Sequence, residues 1–441
     1  MSASADAPAS PAPHSGHHHD RIGPRRLLAF PGFRRLLGSR FAAQWGDGLF
    51  QAGLAGAVVF NPERGASPLA IAAGFTVLLL PYSLVGPFAG ALLDRWDRRR
   101  VLVGANLLRG ALILICALGV AVGASGVLLL MLALVVVGVS RFVLSGLSAS
   151  LPHVVPVRNL VEGNAMATTL GALVAVSGGI CAVGLRALWG AGDVGSGLTT
   201  GVAAAGSVVA AAFAVRFARG ALGPDQVDEP AVALFAVARG LFDGGRAAFR
   251  APTVAAGFIA LFAHRAAVGI SFLVTVLLMR YSFTDMGPLK AGLPGLAEIF
   301  AAGGLGILVA GLTTARTVER LGRRRSIAAA LLLAAAAQLG LGLPMTLPTV
   351  LLATFVIIYA GQVVKLCVDA AVQRDIGDET RGRVFALYDT LFNITQVAAV
   401  ALAATVAPMD GHSVPLVLAA TGLYLVGLAG FVLVSRRHPA R

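Results

Sequence analysis

Twelve apolar stretches recur along this chain, separated by short polar intervals. They cover approximately residues 37–60, 68–92, 101–122, 126–149, 164–188, 197–217, 253–279, 290–314, 325–343, 347–371, 384–406 and 413–434. A hydrocarbon layer roughly 30 Å thick needs about 20 such residues per helix, so each stretch predicts a membrane span, numbered 1 to 12 in chain order. Several contain Pro or Gly, which membrane helices tolerate because neighbouring groups re-satisfy the freed backbone. The longest interval, about 218–252, divides the spans six and six. Within it "GPDQVDEP" reads as a solvated turn. The following "ALFAVARGLFDGGRAAFR" sets Leu234, Phe235, Leu241, Phe242 and Phe249 among three arginines. That pattern suits either a short amphipathic helix on the membrane surface or an ordinary linker.

The predicted architecture is therefore all-α and integral to a membrane. It has a disordered tail over 1–35, a six-helix bundle over 36–217, a linker over 218–252, a second bundle over 253–434 and a tail over 435–441. Residues Met1–Asp20 are rich in Ala, Ser, Pro and His without apolar periodicity. The first apolar run is too long for a signal-peptide core, so no cleavage is expected. His17, His18 and His19 lie in that tail with no further ligands nearby, so no metal site is expected.

Composition sharpens the picture. Hydrophobic residues make up 57% and charged residues 13%, about half the charged share of a soluble chain, with a mean hydropathy of +0.82. The 54 glycines fit helices that approach one another closely. A net charge of +14 would point to nucleic acid if it formed one basic face. Instead the arginines cluster in alternate loops, which excludes that class. Arg34 and Arg35 precede span 1, Arg98, Arg99 and Arg100 join spans 2 and 3, and Arg216, Arg219, Arg239, Arg246 and Arg250 join spans 6 and 7. Arg323, Arg324 and Arg325 join spans 8 and 9, Arg374, Arg381 and Arg383 join spans 10 and 11, and Arg436 and Arg437 follow span 12. The opposite loops carry almost none, with Arg64, Arg280 and Lys290 as exceptions. The positive-inside rule then predicts a multi-pass protein of the plasma membrane with both termini cytoplasmic. Cys116, Cys181 and Cys367 lie singly inside spans and imply neither a disulfide nor zinc.

One of these arginine clusters is repeated. "GALLDRWDRRRV", Gly90 to Val101, returns 225 residues later as "ARTVERLGRRRS", Ala315 to Ser326. Asp94 overlays Glu319, Arg95 overlays Arg320, and Arg98, Arg99 and Arg100 overlay Arg323, Arg324 and Arg325. Each copy joins the second and third spans of its half, the internal symmetry that transporters carry.

On these residues the chain resembles the major facilitator superfamily over about 30–436. The family's loop motif is matched by Gly90, Asp94, Arg95, Arg98 and Arg99, with Asp97 in place of its second glycine. In the second half Glu319, Arg320, Gly322, Arg323 and Arg324 match, with Ala315 in place of the first glycine. The resemblance implies two pseudo-symmetric six-helix bundles that transport by alternating access. It also implies a latch in which the acid docks on a helix end of the opposite half. For Asp94 that end is near Gly382–Phe385, and for Glu319 near Gly163–Ala165. Asp97 is expected to be tolerated for its freedom in turns. "FRRLLGSRFAAQWGDGLFQAGL" and "RGRVFALYDTLFNITQ" resemble the macrolide and multidrug efflux branch. Against that branch, Leu170–Gly184 lacks the proline of its usual span-5 antiporter motif.

Charges at membrane depth are costly and face a cavity or a partner. Gln44, Asp47 and Gln51 share one face of span 1 and are expected to line the central cavity, with Asp47 paired to Arg141 of span 4. His264 and Arg265 of span 7, Glu298 of span 8, and Asp389, Asn393 and Gln396 of span 11 complete the predicted cavity set. Lys365 and Asp369, spaced i, i+4, are expected to neutralise each other, and Asn106 and Arg109 to support the latch. His264 is read as a packing residue ahead of a proton carrier. Asp47 leads as the proton-coupling acid, followed by Glu298 and Asp389. The leading function is a secondary exporter of a small amphipathic molecule, driven by proton exchange and working as a monomer without cofactors. A specific metabolite carrier is the alternative. A membrane-embedded enzyme or sensor is a third reading, but no cluster of His, Asp or Glu marks a catalytic interface. No Walker motif is present, so ATP is not the energy source within the chain.

Overall fold

The computed structural model describes residues 27–61, 67–84, 93, 96–156, 159–223 and 230–437. Gly90, Asp94, Arg95 and the predicted tail up to residue 26 lie outside the described residues. The described residues are predominantly helical. The first half contributes α1 (Pro31–Val58), α2 (Pro68–Leu84), α3 (Arg98–Ala121), α4 (Val127–Ala149), α5 (Leu160–Trp189) and α6 (Asp193–Val215). The linker forms α7 (Pro230–Arg250). The second half contributes α8 (Pro252–Tyr281), α9 (Gly292–Leu321), α10 (Arg323–Ala337), α11 (Leu347–Asp375), α12 (Asp378–Ala404) and α13 (Val414–Arg437). Ten of these helices are long and apolar enough to cross a membrane. With α1, which carries Arg34, Arg35, Arg40 and Asp47, and α2, 17 residues long as described, they form the twelve spans of the two bundles.

Helix ends overshoot the apolar stretches where charged residues sit. α9 runs on to Leu321 and α12 begins at Asp378, because backbone hydrogen bonding continues past the hydrocarbon layer into the polar interface. Asp97 has a local task that the sequence reading missed: it caps α3, its side chain accepting from Arg99 N at 3.0 Å. Its backbone is extended, with φ −50° and ψ 107°, so tolerance of a left-handed turn is not the reason for it. Gly322, at φ +77°, ends α9 in the geometry that favours glycine and lets α10 start at once.

Glycine sets the packing of the first bundle. A methyl group on Gly48 would lie 1.8 Å from the Ala175 carbonyl oxygen of α5, and one on Gly206 of α6 would lie 2.9 Å from the Gly46 Cα. α1 is thereby wedged between α5 and α6 at backbone contact, the small-residue mode of membrane helices. In the second bundle α8 is the central helix, packed against α11, α12 and α13. α10 ends in a π-helical turn, Gln338–Gly342, anchored where Ser271 Oγ donates to Gln338 Oε1 at 2.8 Å.

The halves meet at the face opposite the chain termini. Val59, Phe60, Ile71 and Ala72 of the first half share a core with α8 and its neighbours. Phe75 and Phe272 pack with ring centroids 4.5 Å apart and planes tilted by 34°, and Arg280 donates to the Asn61 carbonyl at 2.8 Å. That carbonyl lies in a wider polar knot, where Arg186 donates to Phe60 O and Ala191 O, each at 2.8 Å, and Asn61 donates to Asp193. On the same face Asp285 accepts from Ala291 N and Lys290, which hold its carboxyl below the usual range.

The linker is helical, and α7 packs against α12. Its buried side is Gly240, Gly244 and Ala248, with Gly244 against the Arg383 backbone of α12, and Asp243 pairs with Arg383 at 3.5 Å. Phe242 and Phe249 are exposed on its other side.

Candidate functional site

α1 directs its polar residues inward to different neighbours instead of along one cavity face. Asp47 points between α3 and α6, where its Oδ1 accepts from Arg109 Nη1 at 3.1 Å. Arg109 is fully buried and donates also to Ser207 Oγ at 2.9 Å. The expected Asp47–Arg141 pairing is therefore corrected: the carboxylate's partner is Arg109 of α3, and Arg141 stands as a second cation near that guanidinium. Asp47 Oδ2 is buried without a hydrogen-bond partner among the described residues. Gln44 turns toward α5 and accepts from Arg40 Nε at 3.2 Å, while Arg40 reaches Ser148 of α4. Gln51 is half-buried. One stripe on a helical wheel thus serves two different neighbours, because α1 is enclosed by helices on both sides.

The second half assembles a different site. Lys365 Nζ and Asp369 Oδ2 of α11 pair at 2.8 Å, as their spacing predicts. The same ammonium lies 5.3 Å from the Tyr388 ring centroid on α12. Arg265 of α8 stacks its guanidinium 4.0 Å over the Phe392 ring. Asp389 completes the group, near both Lys365 and Asp369, with its side chain exposed. Phe385, Tyr388 and Phe392 follow one another along α12 with centroids about 6 Å apart, forming the aromatic wall.

The depth of this cluster follows from helix geometry. Lys365 lies ten residues before the α11 end, Asp389 eleven after the α12 start and Arg265 thirteen after the α8 start. At about 1.5 Å per residue these positions are roughly 15–20 Å from the helix ends on the termini face. Because α12 and α11 overshoot the apolar stretches that begin at 384 and end at 371, Asp389 and Lys365 lie about 8–9 Å inside the hydrocarbon core, in its half nearer the termini. An exposed carboxylate at that depth is tolerated only where its surroundings are wet. α12 also packs on α2 of the other half, so the cluster lies beside the interface between bundles.

The remaining predicted residues have packing surroundings. His264 is buried, its Nε2 3.1 Å from the Ile357 carbonyl and its ring 5.2 Å from Tyr424. Glu298 lies near the α9 start, where Oε1 accepts from Lys290 N at 3.1 Å and braces the loop before the helix, so it is not at mid-depth. Asn393 Nδ2 bonds the Asp389 carbonyl one turn back at 3.0 Å, and Gln396 is buried against Gly269 of α8. The expected shared face of Asp389, Asn393 and Gln396 thus divides, with Asp389 exposed and Gln396 in the helix contact. Asn106 donates to Leu102 O within α3.

The repeated arginine clusters tie helix ends together within each half. Arg98 Nη1 donates to Ala149 O at 2.9 Å at the α4 end, and Arg99 Nη2 to Val215 O at 3.1 Å at the α6 end. Arg323 lies 3.8 Å from Asp375 at the α11 end, and Asp375 also binds Arg374 and Thr253. Cations at carbonyl-rich helix ends complement the helix dipole. Glu319, Arg320 and Arg324 are exposed, and Glu319 makes no hydrogen bond or ion pair among the described residues. The sequence reading missed Tyr388, Phe392 and Arg186 as well. The ring positions at i−1 and i+3 around Asp389 were a readable signal on one helix, whereas nothing local marked Arg186.

Comparison with known proteins agrees with this architecture. Residues 36–399 match the Major Facilitator Superfamily. An MFS-type transporter of Mycobacterium tuberculosis is 45% identical over 417 residues, covering 94% of this chain and 93% of that protein. Its counterpart from Mycobacterium bovis has the same identity and coverage. Among solved structures, a nucleoside transporter superposes with a TM-score of 0.67 at 14% identity, covering 92% of this chain and 99% of that one. A POT peptide transporter crystallised with sulfate superposes with a TM-score of 0.67 at 14% identity, covering 94% and 98%. These two likenesses carry the fold alone.

Proposed function

The chain belongs to the major facilitator superfamily and is a membrane transporter, and we propose that it exports a small amphipathic molecule in exchange for protons. In this reading it is a monomer in the plasma membrane with both termini cytoplasmic, and the proton gradient supplies the energy. The observation that carries the reading is the membrane-embedded cluster on α8, α11 and α12, with an exposed carboxylate near an ammonium and an aromatic wall. A carboxylate open to the transport cleft can exchange a proton with water. Asp389 therefore takes the coupling role in place of Asp47, whose buried pairing with Arg109 denies it that access. Glu298 is engaged with its loop. Asp47 and Arg109 then act as a rigid strut in the first bundle, leaving the second to respond to proton and substrate.

A second reading is a specific metabolite carrier, importer or uniporter, of the same fold. It is favoured by the absence of proline from Leu170–Gly184, where the efflux branch carries its antiporter motif. Flux of a compound panel in proteoliposomes with and without an imposed pH gradient separates the two. Gradient-accelerated flux of one compound class supports proton exchange. Flux of any compound that ignores the gradient removes coupling and leaves the carrier reading.

A further inference from the structure

The charge pattern of the α8/α11/α12 cluster contains more than an acid for coupling. It holds two cations, Arg265 and Lys365, and two carboxylates, Asp369 and Asp389, within one aromatic-walled site. The signs are also arranged in space. Arg265 is presented from α8, stacked on Phe392, with its Nε making no hydrogen bond among the described residues. Asp389 is exposed from α12, and the Lys365–Asp369 pair stands near it on α11.

A ligand carrying one charge would meet an opposite partner at one pole of a cluster that is neutral as a whole and leave the other pole unmatched. A ligand with one positive and one negative pole leaves the total at zero and meets a partner at each end. Its apolar body would lie on the faces of Phe385, Tyr388 and Phe392, which favour planar rings.

We infer that the α8/α11/α12 cluster binds a zwitterion with an aromatic side group, its ammonium directed to Asp389 and its carboxylate to Arg265. This deepens the transport reading by naming the substrate class, and it rests on that reading for the site being a substrate site. Proton and ligand ammonium then share Asp389, so that loading one displaces the other. The ligand's carboxylate would take the guanidinium from its place over Phe392 or bind it edge-on, and either change links occupancy to the position of α8 against α12.

The test is equilibrium binding to the full-length protein in nanodiscs, with no gradient imposed, so that its outcome is separate from that of the flux assay. Two matched series vary only the charge: phenylalanine, phenethylamine and 3-phenylpropionate, and tryptophan, tryptamine and indole-3-propionate. The zwitterion of at least one series is expected to bind about tenfold or more tightly than both of its single-charge analogues, a gap of about 1.4 kcal/mol. Asp389→Asn is expected to bring the zwitterion down to the affinity of the carboxylate analogue while leaving the latter unchanged. Arg265→Gln is expected to do the converse with the amine. Should either variant fail to fold, the wild-type ranking still decides. An amine or a carboxylate that binds as tightly as its zwitterion in both series, or no binding in either series, overturns the inference. Proton-independent flux with the zwitterion ranking intact would sink the coupling and leave this inference standing.

Discussion

Replacing Asp47 by Asn keeps the side chain's shape and removes its charge, leaving the Arg109 guanidinium buried without a counter-ion. Arg109 is 0% exposed and Asp47 9% at the side chain, with 3.1 Å between them. Breaking such a pair from one side costs about 3–5 kcal/mol, because the remaining charge is uncompensated. Removing both charges with apolar residues of similar size costs far less and can be neutral. Asp47→Asn, Asp47→Leu and Arg109→Met are therefore each expected to lower stability by roughly 3 kcal/mol or more. The Asp47→Leu/Arg109→Met double variant is expected to lie close to wild type. The Lys365–Asp369 pair is as short, at 2.8 Å, but 33% and 20% exposed, so its loss should cost at most about 1 kcal/mol. The assay is unfolding by titration with sodium dodecyl sulfate in mixed micelles, read by tryptophan fluorescence and arranged as a double-mutant cycle for each pair. Coupling near 0.6 kcal/mol for Asp47–Arg109, the average for polar contacts between membrane helices, would refute the strut.

Arg280 at the contact between halves and Gly244 at the contact of the linker helix with α12 give two further predictions. Arg280→Ala removes the donor to the Asn61 carbonyl, a charge-assisted bond worth about 1.5–3 kcal/mol, and should open the face opposite the termini. Spin labels at exposed Val194 and Met409 should then show a larger long-distance population, and an unchanged distribution would remove the bond as a gate. Gly244→Leu drives a side chain into the Arg383 backbone, which a methyl group at Gly244 would already approach to 2.8 Å. Overpacking of about 1–3 kcal/mol should lift α7 from α12 and speed its amide exchange roughly tenfold or more. Unchanged exchange would mean that α7 is not held there.

Much of the architecture was legible because membrane spans announce themselves by length and apolar content. The repeat of Gly90–Val101 at Ala315–Ser326 fixed how the two halves correspond. Partnerships were harder to read. Asp47 and Arg141 lie on helices whose cavity faces the fold places together, so their pairing was a reasonable expectation. The fold instead turns Asp47 toward α3, because Gly46 and Gly206 bring α1 and α6 into backbone contact and leave room for a long guanidinium. Helical spacing gives a residue's angle but not which neighbour occupies that angle. The second site was legible only in parts. Lys365 and Asp369 followed from i, i+4 spacing, whereas the meeting of Arg265, Tyr388 and Phe392 depends on how α8 packs against α12. Asp97 was readable in principle, since an aspartate before three arginines at a helix start is a cap signal.

The central claim is that a cleft-facing acid on α12, and not the buried acid on α1, couples transport to protons. The direct measurement compares gradient-driven flux with substrate counterflow in proteoliposomes of the wild type and of Asp389→Asn. The account predicts that the variant loses acceleration by the pH gradient while counterflow at saturating substrate persists, since exchange of loaded carrier needs no proton. A variant that still follows the gradient as the wild type does would contradict it.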